Sequence, residues 1–90
     1  MQAVLPKDIL ADGEDSTTMN GRQVRKGTVA AFLANILILE KANSSEEEKN
    51  MALNTMKELA PDIIAIGLQQ HVVFKNKQVQ QILLEADNSY

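Results

Sequence analysis

The stretch Gly21-Arg-Gln-Val-Arg-Lys26-Gly27-Thr28 is the nearest approach to a chemical motif in this sequence, being the phosphate-binding loop G-x-x-x-x-G-K-[ST] with its second glycine and lysine exchanged. The exchange has a physical consequence. In the true loop the second glycine lets the backbone curl around a phosphate before the lysine reaches over it, and the loop joins a buried strand to a helix of a parallel sheet. Here no apolar strand precedes Gly21 and a 90-residue chain leaves no room for that sheet, so nucleotide hydrolysis is not expected. What survives is electrostatic. Arg22, Arg25 and Lys26 come immediately before an expected helix start, where unpaired N–H groups favour anions, and they are the candidate anion or nucleic-acid contact. The competing expectation pairs these cations with the acidic residues at 12 to 15 across the turn.

Other catalytic constellations are poorly supplied. His71 is the single histidine and there is no cysteine, so neither a histidine–cysteine nucleophile pair nor a nitrogen–sulfur zinc site can be assembled. Asp8, Asp12, Glu14 and Asp15 look superficially like calcium ligands, but they lack the alternating acids, the glycine at position 6 and the terminal glutamate of an EF-hand loop. No catalytic, metal or cofactor-binding residue is therefore assigned, no cofactor is expected, and the chain is read as non-enzymatic. A helix-turn-helix formed by residues 61–70 and 76–86 would present Lys75, Asn76, Lys77, Gln78 and Gln81 to a groove. Its connector is apolar and rather long and its glycine lies outside the turn, so a solvated amide-rich face is the simpler reading.

Composition narrows the classes further. A formal net charge of −3 gives the whole molecule no general attraction for nucleic acid or anionic lipid. The absence of cysteine suits a reducing compartment, and the first residues lack the basic and apolar succession of a secretory leader, so the expected location is the cytoplasm. Residues 29–39 are apolar at every position except Asn35, yet too short to span a bilayer, which takes ~20 residues; no membrane association is expected. A helix hydrophobic almost all round has to be surrounded by protein. A chain this small has difficulty surrounding anything, which makes a second copy or another protein the expected partner.

The elements that must position these residues are mostly helical. Residues 1–27 read as an acidic arm and basic turn, with one helical turn at Lys7–Ala11 and an Asn20-Gly21 hairpin signal between Thr17–Met19 and Arg22–Val24. Because an isolated ribbon is marginal in water, the expectation is either an irregular arm or a short hairpin. Residues 28–90 form the helical part of what is a single domain overall. A first long helix runs from Thr28 to about Ala42, with Thr28, Ala31, Asn35 and Ala42 as its small, solvent-facing side, or alternatively as a seam for a second helix. Ser44-Ser45-Glu-Glu-Glu48 starts another helix, either serine serving as N-cap. Pro61 is expected to end that helix near Leu59 and to open a third over 61–70, in which Gly67 marks close backbone contact. Val72-Val73-Phe74 is an apolar connector, and Val79, Ile82, Leu83 and Ala86 form the buried stripe of a last helix.

The fold class expected is all-α, a small bundle of about four helices after an irregular N-terminal arm or short hairpin, with the first and third helices innermost. Its expected core is Phe32, Leu33, Ile36, Leu37, Met56, Leu59, Ile63, Ile66, Val79, Ile82 and Leu83. Function then follows from interfaces. The leading expectation is a protein-interaction or regulatory module acting as a homodimer, with Ala31, Asn35, Ile38 and Leu84 as candidate interface residues. The alternatives are a nucleic-acid-binding regulator using residues 22–26 and a noncatalytic helical domain that binds a small ligand.

Overall fold

The structure, a computed structural model, describes residues 3–88. A one-turn helix, α1 (Pro6–Ile9), leads to an antiparallel hairpin, β1 (Ser16–Met19) and β2 (Arg22–Arg25). Three longer helices follow, α2 (Thr28–Glu40), α3 (Glu46–Ile66) and α4 (Lys77–Asn88), with a 3-10 turn at Leu68–Gln70. The chain is thus mostly helical with bundle-like packing, as the periodicity predicts. It is not all-α, because the hairpin is ordered.

Asn20 and Gly21 both have positive φ, 49° and 79°, which is what a two-residue turn matched to the strand twist requires. The ribbon persists because it is not isolated. Val24 is buried, Asn20 Nδ2 donates to the Ala65 carbonyl at 2.7 Å, and Arg22 is ion-paired with Asp62, so the hairpin is fastened along the C-terminal third of α3.

Helix α3 is a single helix, which overturns the expected break at Pro61. A proline inside a helix removes one N–H and crowds the carbonyl four residues earlier. Here Ala60 and Ile63, on either side of it, are both buried in the same core as Met56. Breaking the helix would expose that stripe, so tertiary burial outweighs the local cost. The true end is Gly67, whose φ of 91° makes it a left-handed C-cap and whose N–H donates to the Ile63 and Ile64 carbonyls. Gly67 therefore does not mark a close helix crossing. A Cβ built there would meet only Gln70 Oε1, at 3.9 Å.

The helix starts are specified locally. Ser45 Oγ accepts from Glu48 N–H at 3.1 Å while Glu48 Oε1 accepts from Ser45 N–H at 2.9 Å, a reciprocal cap. At α4, Asn76 Oδ1 accepts from the N–H groups of Gln78 and Val79. The connector before it is only partly apolar packing: Phe74 meets Phe32 edge-to-face with ring centroids 5.7 Å apart, whereas Val72 and Val73 are exposed.

Helix α3 is the central element, packed on α2 on one side and α4 on another, while α2 and α4 touch each other little. The core is Phe32 from α2, Met56, Ala60 and Ile63 from α3, and Val79, Ile82 and Leu83 from α4. The expectation that the first long helix would be innermost is wrong. Of its residues only Thr28 and Phe32 are buried; Ile36 is partly buried, as are Leu59 and Ile66 on α3, and Leu33 and Leu37 are exposed. With the long helices side by side and, among the described residues, no further long helix to close over α2, the chain is elongated, measuring 45 × 29 × 22 Å.

Candidate functional site

The basic turn does not assemble into one cationic site. Arg22 and Arg25 stand three residues apart on strand β2, and the two-residue alternation of a strand sends their side chains to opposite faces. Arg22 is engaged by Asp62 of α3, and Lys26 Nζ lies 3.3 Å from Asp15 Oδ1. The acidic segment before the hairpin thus holds one of the three cations and α3 another. Arg25 is exposed and has no ion-pair partner among the described residues. Thr28, expected on a solvent face, is buried instead, its hydroxyl donating to the Arg25 carbonyl at 2.7 Å.

The other polar candidates serve local structure. Asp8 Oδ2 accepts from Leu5 N–H at 2.9 Å and so closes the single turn of α1. His71 is exposed just after the 3-10 turn, where its N–H donates to the Leu68 carbonyl. Among the described residues no group of three or more histidine, cysteine, aspartate or glutamate side chains converges to hold a metal ion. Asn76, a candidate for base contact, is occupied by capping α4 and by donating from Nδ2 to Glu40 Oε2 at 3.2 Å. Gln81 likewise donates to Glu85 within α4. Glu48 has a lowered pKa: the Ser45 N–H and hydroxyl stabilise its carboxylate and bring it below the ordinary 4.5.

The surface that stands out is the exposed flank of α2, whose Ile38 edge borders Met51 and Thr55 of α3. At 100° per residue, Ala30, Ala31, Leu33, Ala34, Leu37 and Ile38 fall on one continuous arc, and every one of them is exposed. Leu33 retains 46% of its accessible surface, Leu37 70% and Ile38 38%. No charged side chain interrupts the arc. Asn35, at its edge, turns its amide inward to the Ala31 carbonyl of its own helix at 2.9 Å. A shallow groove of about 420 Å³ borders the arc, between Leu33, Leu37 and Glu40 of α2 and Phe74 and Lys75 of the connector.

Three of the candidate interface residues, Ala31, Asn35 and Ile38, therefore lie on or beside this face. Leu84 lies on α4, 47% exposed and turned away from the buried stripe of Val79, Ile82 and Leu83. Leu33 and Leu37 were missed because their types suggest core. The signal that would have found them is the absence of polar residues anywhere around residues 29–39, which left no way to tell from sequence which side was covered. A second cavity, of about 550 Å³, opens between the arm, the hairpin and the start of α2, lined by Leu10, Met19, Val24, Val29 and Ile66 with Arg25 and Lys26 bordering it.

Among the described residues no helix is long and apolar enough to cross a membrane. The chain matches no protein-family model, and no curated protein or solved structure aligns with it significantly.

Proposed function

We propose that this protein is a small, non-enzymatic protein-interaction or regulatory module of the cytoplasm that acts as a homodimer through the open face of α2. The observation that carries the reading is the uncharged apolar arc from Ala30 to Ile38, with Leu37 70% exposed. Contiguous apolar surface of this kind marks interaction sites on proteins that are otherwise soluble. Area supports it as well. The chain exposes 6620 Å², whereas a compact monomer of 9.9 kDa is expected to expose about 5,200 Å². The excess exceeds the ~800 Å² that each partner buries in a standard interface. A second copy is the partner chosen because closed two-fold dimers are the commonest assembly of soluble chains.

Sedimentation from micromolar to much higher concentration tests the reading. The wild type is expected to be dimeric with a melting temperature that rises with concentration, and Leu37→Glu to be monomeric with unchanged helical content, since Leu37 contributes little to the monomer core. A wild type that stays monomeric throughout refutes it.

A noncatalytic ligand-binding role is the second reading, favoured by the 550 Å³ apolar cavity with Arg25 and Lys26 at its border. Such a site suits an apolar molecule with a carboxylate at one end. Calorimetric titration with a medium-chain fatty acid should give saturable heat; none at millimolar ligand removes the reading.

A further inference from the structure

The open face of α2 is not uniform along its length. Its N-terminal half carries the small side chains Ala30, Ala31 and Ala34, and its C-terminal half the large Leu37 and Ile38, with Leu33 at one edge. Ala34 stands at the midpoint of the helix Thr28–Glu40. A face that tapers in this way fits a copy of itself in one direction only. From these features we infer that two copies pair α2 against α2 antiparallel, about a two-fold axis passing beside Ala34.

In that arrangement Ala34 meets Ala34, Leu37 of one copy sits over Ala30 of the other, and Ile38 sits over Ala31. Large side chains fill the space above small ones at both ends, and the helix axes lie at a constant, short separation. Parallel pairing would stack Leu37 on Leu37 and Ala30 on Ala30, wedging one end apart and leaving a gap at the other.

The ends of the helix agree with the antiparallel choice. The N-terminus of α2 has no side-chain cap and no acidic residue in its first turn, and Arg25, beside it, has no ion-pair partner among the described residues. At the other end Glu40 is a carboxylate in the last turn, where the helix dipole disfavours negative charge. Antiparallel pairing sets the C-terminal end of each α2 level with the partner's uncapped first turn and opposes the two helix dipoles favourably, while Glu40 itself lies off the face and accepts from Asn76 Nδ2.

This inference rests on the dimer reading and is tested separately from it by cysteine cross-linking, for which the cysteine-free chain is well suited. Ala30, Ala34 and Leu37 are all exposed, so single cysteines there leave the monomer core intact. Under mild oxidation Ala34→Cys should convert almost entirely to a reducible covalent dimer. Leu37→Cys alone should not, because two Leu37 positions placed symmetrically about Ala34 lie about 9 Å apart along the axis, beyond disulfide reach. Mixed with Ala30→Cys, it should form the covalent heterodimer several-fold more than either variant forms with itself. If sedimentation shows a dimer but Ala34→Cys fails to cross-link, or Leu37→Cys cross-links to itself as readily as Ala34→Cys, the antiparallel arrangement is overturned while the dimer stands. A monomeric wild type overturns both.

Discussion

The side-chain amide of Asn20 donates to the main-chain oxygen of Ala65 at 2.7 Å, joining the tip of the hairpin to the last turn of α3, residues 45 positions apart in sequence. The carbonyls of a helix's last turn have no intrahelical donor. Asn20 supplies one while also accepting the positive φ of the turn, 49°. One residue thereby closes the hairpin and helps to cap a helix.

Two substitutions separate these roles. Asn20→Gly keeps the turn geometry and loses the tether, and should cost about 1 kcal/mol of stability, a typical net value for one hydrogen bond. Asn20→Ala loses both, and should cost about 1 kcal/mol more because alanine tolerates the left-handed region poorly. Urea unfolding of the two variants checks this; equal losses would mean that the tether alone matters.

Ser44 and Ser45 are adjacent but serve different helices. Ser45 caps α3, whereas Ser44 Oγ donates to the Ile38 carbonyl at 2.7 Å, in the last turn of α2. From sequence either serine can stand in for the other, so that single replacements would cost less than the ~1 kcal/mol of the double. The structure removes that redundancy. Ser45→Ala alone should cost ~1 kcal/mol, and Ser44→Ala should add a separate loss when combined with it. Denaturation of the singles and the double checks this; silent singles would restore the interchangeable reading.

The Ser45–Glu48 cap gives stability a dependence on acid. Hydrogen bonds from Ser45 lower the Glu48 pKa in the folded chain below its ordinary 4.5, so unfolding takes up a proton as the pH falls. The contribution is complete above the ordinary value and disappears as the pH drops through the lowered one. Thermal melts of wild type and Glu48→Gln from pH 7 to pH 2 should therefore converge in acid. Curves that remain parallel would show that the carboxylate is not ionically engaged.

Pro61 lies within α3 and not at a helix start, and the distinction is measurable. At a first helical turn proline is favourable and its replacement would cost stability. Inside a helix it leaves the Lys57 carbonyl without its usual donor and is worse than alanine by ~3 kcal/mol in unrelaxed hosts. Pro61→Ala should therefore stabilise the protein, by about 1 to 3 kcal/mol. Destabilisation would indicate two helices.

Local signals determined a good part of this protein from sequence alone. The Asn20-Gly21 turn, the Ser45–Glu48 cap, the start of α4 at Asn76 and the buried stripe of Val79, Ile82 and Leu83 all depend on residues within a few positions of one another, and each is found where its pattern indicated. Tertiary structure decided the rest. Whether Pro61 breaks a helix depended on what Ala60 and Ile63 bury against, and those partners come from elements remote in sequence. Whether Arg22 was available to a ligand depended on Asp62, 40 positions away. Helix α2 is the clearest case: apolar nearly all round, it carries no polar face to define an inside, so its own residues were compatible with any orientation. Phe32 became its buried side, and Leu33 and Leu37 its exposed one, only because α3 covers one flank of α2 and, among the described residues, no long helix covers the other.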